Sequence, residues 1–290
     1  MFKSLMADMV GIDADPLQII DLAQRYGFKG VDLRLDRQAQ AIERIGADRV
    51  REAMAEAGVT PGYCSILPGK ISCDEQTWQA GLARTPELAK LAERLGYTRT
   101  ATVVLPFDDE LPFDDFFKLH VDRIRQSAPI LADHGLSLAL EYVSPITRRA
   151  GHQHPFIHDL KGLRSLYEAS EQDNVGVLLD SFHWHCAGET VADIEALSAQ
   201  EVVVVHVNDL IAGRPVEEQI VTERALPCET GVIDLAGFMG ALAKIGYDGP
   251  ITAEPTNPVW KTTETERAAS ALSASMDKLM ALVAPVSHSG

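Results

Sequence analysis

The chain has 290 residues, 46% hydrophobic and 23% charged, a balance that fits one large soluble domain or two small ones. A net charge of -16 sets it against nucleic acid and anionic membranes as partners, and no apolar run approaches the roughly 18–20 residues that cross a bilayer. The opening MFKSLMADMVG turns acidic too soon for a signal peptide, and Cys64, Cys73, Cys186 and Cys228 form no CxxC pair, so a cytoplasmic protein with reduced thiols is expected.

Strand-like and helix-like segments alternate along the chain. Residues 4–11 (SLMADMVG) read as a first strand, followed by a helix in DPLQIIDLAQRYGF with Asp15 as cap, Pro16 at the first helical position and Gly27 as stop. Residues 30–35 (GVDLRL) are the second strand, before an amphipathic helix over about 41–57 that Gly58 closes. A third strand at 60–67 and a helix at 76–95 end at Gly96; a fourth strand at 98–106 and a helix at 114–133 end at Gly135. The fifth strand, 136–144, is followed by a helix near 157–170. In VGVLLDSFHWH, Val175 to Leu179 show no polar alternation, as in a strand buried on both faces, and a helix near 190–199 follows. The seventh strand is VVVVHVND (202–209), with a long polar loop and a helix at 234–245; the eighth is PITAEP (250–255), with a last helix at 264–283. Eight strand–helix units in about 280 residues have the count and size of a TIM barrel. No linker divides the chain before the short tail APVSHSG, and no GxGxxG follows the first strand to suggest a doubly wound sheet. The expectation is an α/β protein with one (β/α)8 domain over residues 1–290.

In such a barrel functional groups gather where strands end at the C-terminal face. Glu141, Asp180, His206 and Glu254 end the fifth, sixth, seventh and eighth strands, each directly after an apolar run. Singly, each has a plainer use as a helix cap or a polar residue at the core edge. On four consecutive strands they can converge, and three carboxylates together repel unless a cation joins them. Three oxygen donors and one imidazole suit one divalent ion, Mn²⁺, Mg²⁺ or Zn²⁺, without choosing among them. His183, on the loop above, is expected to hydrogen-bond a substrate oxygen, and His152 in GHQHPFIH to line the pocket. One of Asp32 and Arg34 should point into the mouth while the other packs outward against a helix. Arg214 or Arg224 could hold a substrate oxygen, and Trp78 and Trp260 are candidates for an apolar wall or for the helical layer. Few lysines or glycine-rich nests stand near the mouth, which favours a neutral substrate over a phosphorylated one.

These residues resemble those of the xylose isomerase-like TIM barrels, the sugar phosphate isomerase/epimerase group, over essentially the full length. Within that group the chain looks most like the inosose (2-keto-myo-inositol) isomerases. The resemblance rests on DNVGVLLDSFHWH, on VVHVND with the later ERALP and GVIDL, and on GYDG followed by AEP. It implies metal ligation by Glu141, Asp180, His206 and Glu254, substrate contact by His183 and Arg224, and a homodimer; Arg34 and His152 remain substrate-contact candidates from their places at a strand end and in a loop at the mouth. Two segments depart from the group's usual pattern: PCETG follows ERALP where P-G-x-G is common, and AEPTNP replaces a Glu-Leu ending.

The implied chemistry is proton transfer beside the ketone of a neutral keto-polyol or ketose. Glu141 or Glu254 takes a proton from carbon to give an enediolate. Returning it to the neighbouring carbon isomerises; returning it to the other face of the same carbon epimerises. Loss of a β-leaving group makes the same parts a dehydratase or lyase on a 3-keto sugar or keto-glycoside. A non-catalytic sugar-binding barrel is the alternative of a different class, although such barrels usually replace a ligand and all four are present here. An abasic-site endonuclease of the same structural group would need several metals, more histidines and a basic face, which the negative charge opposes.

Overall fold

The apolar runs alternate so little that each strand needs cover on both faces, and a closed barrel ringed by helices supplies it. A computed structural model describes residues 1–283, and the tail at 284–290 lies outside the described residues. In chain order, β1 (Phe2–Leu5) leads to α1 (Pro16–Arg25), β2 (Gly30–Leu33) to α2 (Leu35–Ile45) and α3 (Ala47–Ala57), and β3 (Thr60–Cys64) to α4 (Glu75–Leu95). Then β4 (Arg99–Val104) and the short β5 (Phe107–Asp108) precede α5 (Phe113–Ala132). The strand β6 (Ser137–Tyr142) is followed by α6 (Ile146–Arg149), the short β7 (His154–Pro155) and α7 (Leu160–Ser170). The last units are β8 (Val175–Asp180) with α8 (Ser181–Ala187) and α9 (Val191–Glu195), β9 (Val202–Val207) with α10 (Leu235–Lys244), and β10 (Pro250–Ala253) with α11 (Thr265–Ala281).

Eight strands close into one parallel barrel in the order β1, β2, β3, β4, β6, β8, β9, β10, and β10 pairs back onto β1. The expected (β/α)8 architecture is the observed one. The main core lies between barrel and helices, and a smaller cluster (Met6, Tyr63, Ala139, Leu178, Val203 and Val204) packs together apart from it. Helix α1 starts as its sequence indicates. Asp15 accepts from the backbone N–H groups of Leu17 and Gln18, and Gln18 returns a bond to Asp15, a capping box whose loss costs about 1 kcal/mol.

Four local readings need correction. The first strand stops at Leu5, and residues Ala7–Val10 wind into a 3-10 turn ending at Gly11, where a Cβ would lie 2.5 Å from the Trp260 carbonyl. The helix expected over 41–57 is two helices, α2 and α3, because Gly46 takes φ 94°, which a continuous helix cannot accommodate. The loops after β4 and β6 hold an antiparallel pair, β5 with β7, that short polar segments gave no reason to expect. Finally, α8 begins at Ser181, so His183 and His185 stand on a helix and not on a loop. Asp180 starts that helix, accepting from the Phe182 N–H at 2.6 Å.

Candidate active site

Strand register brings the rim residues level. His206 on β9 pairs with Asp180 on β8 and with Thr252 on β10, and Glu254 lies two residues beyond Thr252, on the same face of the chain. Glu141, Asp180, His206 and Glu254 each offer one ligand atom within 4.8 Å of the others. Glu254 is partly accessible, while the other three are buried.

The surroundings of the four are unequal. Both oxygens of Asp180 are engaged: Oδ1 accepts from Phe182 N and from Asn208 Nδ2, and Oδ2 from Arg224 Nη1 at 2.9 Å. The same Arg224 Nη1 donates to Glu254 Oε2 at 2.7 Å. The guanidinium also lies over the Phe182 ring at 4.5 Å, and its backbone N–H is fixed to the Thr256 carbonyl. By contrast, Glu141 Oε1 and His206 Nδ1 are buried with no hydrogen-bond partner. His206 Nδ1 faces Glu254 Oε2 at 3.5 Å and Glu141 Oε1 at 3.9 Å, and its Nε2 sits 3.0 Å from the Tyr63 hydroxyl.

Electrostatics follow from this layout. Burial, reinforced by the Glu254 charge, pushes the Glu141 carboxyl up to about 8. Burial would also favour a proton on Glu254, but Arg224 and His206 outweigh it and hold Glu254 well below the usual carboxylate range. Burial alone would lower His206; the Glu254 carboxylate 3.5 Å away, with Glu141 and Asp180, carries it instead to about 9. Without a cation the cluster at neutral pH therefore holds one extra proton on Glu141 and one on His206, whose ring is then doubly protonated. A divalent cation is the charge equivalent of those two protons, and the two partnerless atoms are the natural places for its ligation. The donor set thus fits a divalent ion, and Glu141, Asp180, His206 and Glu254 would hold it.

His183 stands beside this cluster. Its Nδ1 accepts the Ser144 N–H at 3.3 Å, so Nε2 carries the proton, directed toward Glu141 Oε1 at 3.9 Å. Burial lowers its pKa to about 4, leaving a neutral ring that can donate one hydrogen bond. Arg224 Nη2 lies 3.4 Å from the same nitrogen.

The other sequence candidates are not part of the four-residue cluster. Arg34 pairs with Asp8 at 2.9 Å and with Asp36 at 3.3 Å. Asp32 is the inward residue of that pair, but it serves the barrel interior: it accepts from Ser4 Oγ, Thr252 Oγ1 and Tyr63 N. His152 Nδ1 meets the Asp109 carboxylate at 2.9 Å, and its ring stacks on Phe107. His185 is half-buried near the end of α8, and Arg214 is tied to Glu223. Trp78 is fully buried in the helical layer and donates to Gln126. Trp260 donates to the Pro255 carbonyl and lines a cavity of about 840 Å³ together with Arg224, Asn257 and Arg267.

Three residues at the site were missed. Asn208 stands in the same VVHVND that supplied His206, two positions on, where the strand period already puts it on the same face. Asp209, next to it, is buried and accepts from the backbone of Thr230, Gly231 and Ile233, tying down the segment that follows Arg224. Tyr63 carries no local signal, because its partner His206 is 143 residues away.

A closed parallel barrel with a buried set of metal-type donors on four adjacent strands defines a class of protein. The chain belongs to the xylose isomerase-like TIM barrel family, whose model matches residues 20–279. The inosose isomerase of Bacillus subtilis (strain 168) is 22% identical over 250 residues, covering 86% of this chain and 87% of that protein. A xylose isomerase domain protein from Alicyclobacillus acidocaldarius subsp. acidocaldarius is 30% identical with a TM-score of 0.86, covering 97% of this chain and 99% of that one. The IolI protein, solved with a zinc atom, is 17% identical with a TM-score of 0.81, covering 97% and 98%. Among the described residues no helix is long and apolar enough to cross a membrane.

Proposed function

We propose that the chain is a divalent-metal-dependent isomerase or epimerase of a neutral keto-polyol or ketose, working by proton transfer through an enediolate. The observation that carries this reading is the convergence of Glu141, Asp180, His206 and Glu254, with two of their ligand-type atoms left without partners. A bound Mn²⁺, Mg²⁺ or Zn²⁺ would supply Lewis acidity toward a substrate carbonyl. Glu254, held ionised by Arg224, is the base poised to take a proton from the carbon beside that carbonyl and, once protonated, to return it, with Glu141 as the second carboxylate of the site. His183 Nε2–H and Arg224 Nη2, side by side at the cluster, donate to substrate oxygens and fix which carbon faces the carboxylates. Similarity to the Bacillus subtilis inosose isomerase makes 2-keto-myo-inositol, and with it inositol catabolism, the first choice. The IolI protein, of the same fold, was solved with a zinc atom, which supports the choice of a metal for this chain. The residues Arg34 and His152 belong to this reading only as contacts to substrate from the surrounding loops. We place the protein in the cytoplasm, on its free thiols and negative charge, and as a homodimer on the family resemblance alone.

One observation favours a second reaction. The cavity of about 840 Å³ beside Arg224, walled by Trp260, has room for a group beyond a single sugar ring, as a lyase acting on a keto-glycoside would need. Deuterium exchange into substrate carbon, followed by NMR with 2-keto-myo-inositol, a ketohexose and a 3-keto-glucoside, tests both. Exchange with a shifted carbonyl or an inverted centre is the expected result, and release of the aglycone identifies elimination. Metal-loaded protein that exchanges no carbon-bound proton in any of the three contradicts the proposal.

A further inference from the structure

Three residues in contact inside the barrel end at the candidate metal centre. His206 Nε2 lies 3.0 Å from the Tyr63 hydroxyl oxygen, and that oxygen lies 3.1 Å from the sulfur of Met6. Each of the three residues is 4% exposed or less, so solvent cannot substitute for any partner. Tyr63 is held at its backbone as well: its N–H donates to Asp32 Oδ1 at 2.8 Å, and Ser4 and Thr252 hold that carboxyl from two other strands. Gly62, just before it, has no room for a side chain, since a Cβ there would lie 2.0 Å from Asp32 Oδ1. Tyr63 therefore has little freedom to turn away.

From this geometry we infer that Met6 sets the tautomer of His206 through the Tyr63 hydroxyl, which makes Met6 and Tyr63 positioning residues for the metal centre. A thioether sulfur accepts hydrogen bonds and cannot donate one, whereas a hydroxyl has a single proton to give. With that proton directed to Met6, the Tyr63 oxygen presents lone pairs to His206 and accepts its Nε2–H. The Nδ1 lone pair is then the one left for a cation, on the side of Glu141 Oε1 and Glu254 Oε2. Reversal of the chain, with the hydroxyl proton on Nε2, would leave the sulfur without a donor and put the ring proton on Nδ1, where no cation could be bound. In the metal-free protein the two carboxylates beside Nδ1 favour a proton there; once a cation takes that place, the sulfur fixes which way the Tyr63 hydroxyl points.

The inference rests on the reading of Glu141, Asp180, His206 and Glu254 as a metal centre, and the test separates the two. Affinity for Mn²⁺ and for Zn²⁺ is measured on the full chain by competition with a chromophoric chelator, for wild type, Met6→Leu, Tyr63→Phe and the double variant. Tyr63→Phe should weaken binding about tenfold, as loss of a partner to a ligating histidine does. Met6→Leu, which conserves volume, should weaken it about threefold or more while leaving the urea midpoint of the metal-free protein almost unchanged. The distinguishing result is coupling: in the Tyr63→Phe background, Met6→Leu should have no further effect, because the chain through the hydroxyl is already broken. Wild-type affinity in Met6→Leu, or losses that simply multiply in the double variant, overturns the inference. If Tyr63→Phe fails to fold, the Met6→Leu affinity decides alone. A wild-type chain that binds neither ion overturns the metal centre itself, a result distinct from the others.

Discussion

Glu141 and Glu254 are chemically the same side chain, yet their neighbours hold them in opposite states. Glu254 receives Arg224 at 2.7 Å, and Glu141 keeps a buried oxygen with no hydrogen bond at all. Before a cation binds, a carboxylic acid and a carboxylate thus stand side by side, made from two identical groups. Glu254→Gln, nearly isosteric, should lower kcat/KM for the exchange reaction by at least about 10² in steady-state assays. Equal activity in that variant would remove Glu254 from the chemistry. A different buried group governs acid stability. His120 is sealed among Phe116 and Phe156, donates Nδ1–H to the Phe116 carbonyl, and burial lowers its pKa to about 4. The unfolded chain takes up this proton near 6.5 while the folded one resists until about 4. Stability from the neutral ring is therefore complete above pH 6.5 and lost as pH falls toward 4, by about 3 kcal/mol. Denaturant titrations of His120→Phe across that range should show a correspondingly shallower decline. The four clustered residues were legible because each stands at the end of a mostly apolar strand. The settings of Glu141 and Glu254 were not, since they depend on Arg224, 30 residues from Glu254 in the chain.

Among the elements, β2 and β3 show how a buried polar network dictates sequence. Their register shifts between Val31 and Leu33, and Asp32 reaches across to the Tyr63 N–H through the space that Gly62 leaves empty. Gly62→Ala should destabilise the protein by about 3 kcal/mol, read from its denaturant midpoint, because the inserted methyl meets a buried carboxylate. A midpoint equal to wild type would mean that the strands part at no cost. The loop after β9 depends similarly on Asp209. It accepts from Thr230, Gly231 and Ile233, and its backbone pairs with Ala225, the residue after Arg224. Asp209→Ala should release this loop, seen as faster amide exchange over residues 225–233, and raise KM more than it lowers kcat as Arg224 loses its placement. Strand cores and helix stops were legible as apolar runs and glycines. Strand ends were read too long in β1 and β2, where a 3-10 turn at Ala7 and a helix at Leu35 begin inside the apolar run and end the pairing early. The helix at Ser181 was hidden because Asp180 both ends a strand and caps a helix.

For the whole molecule, the barrel acts as a frame that holds four candidate ligand residues on four neighbouring strands. Sequence order along the chain becomes order around the ring, so the apolar rhythm of strands and helices revealed the architecture together with the rim. Contacts that cross the ring, such as Tyr63 with His206, stayed hidden because nothing along the chain relates their positions. A frame that buries acids without a cation leaves stability to be gained on loading. Saturation with Mn²⁺ or Zn²⁺ at about 100 times Kd should add about 2.7 kcal/mol, a rise of several degrees in Tm that a chelator reverses. The most direct test of the metal centre is anomalous diffraction from crystals loaded with Mn²⁺ or Zn²⁺. The account predicts one strong peak inside the barrel rim, with one atom each of Glu141, Asp180, His206 (through Nδ1) and Glu254 at about 2.0–2.2 Å. A peak that leaves out any of the four, or none at the rim of loaded crystals, would contradict it.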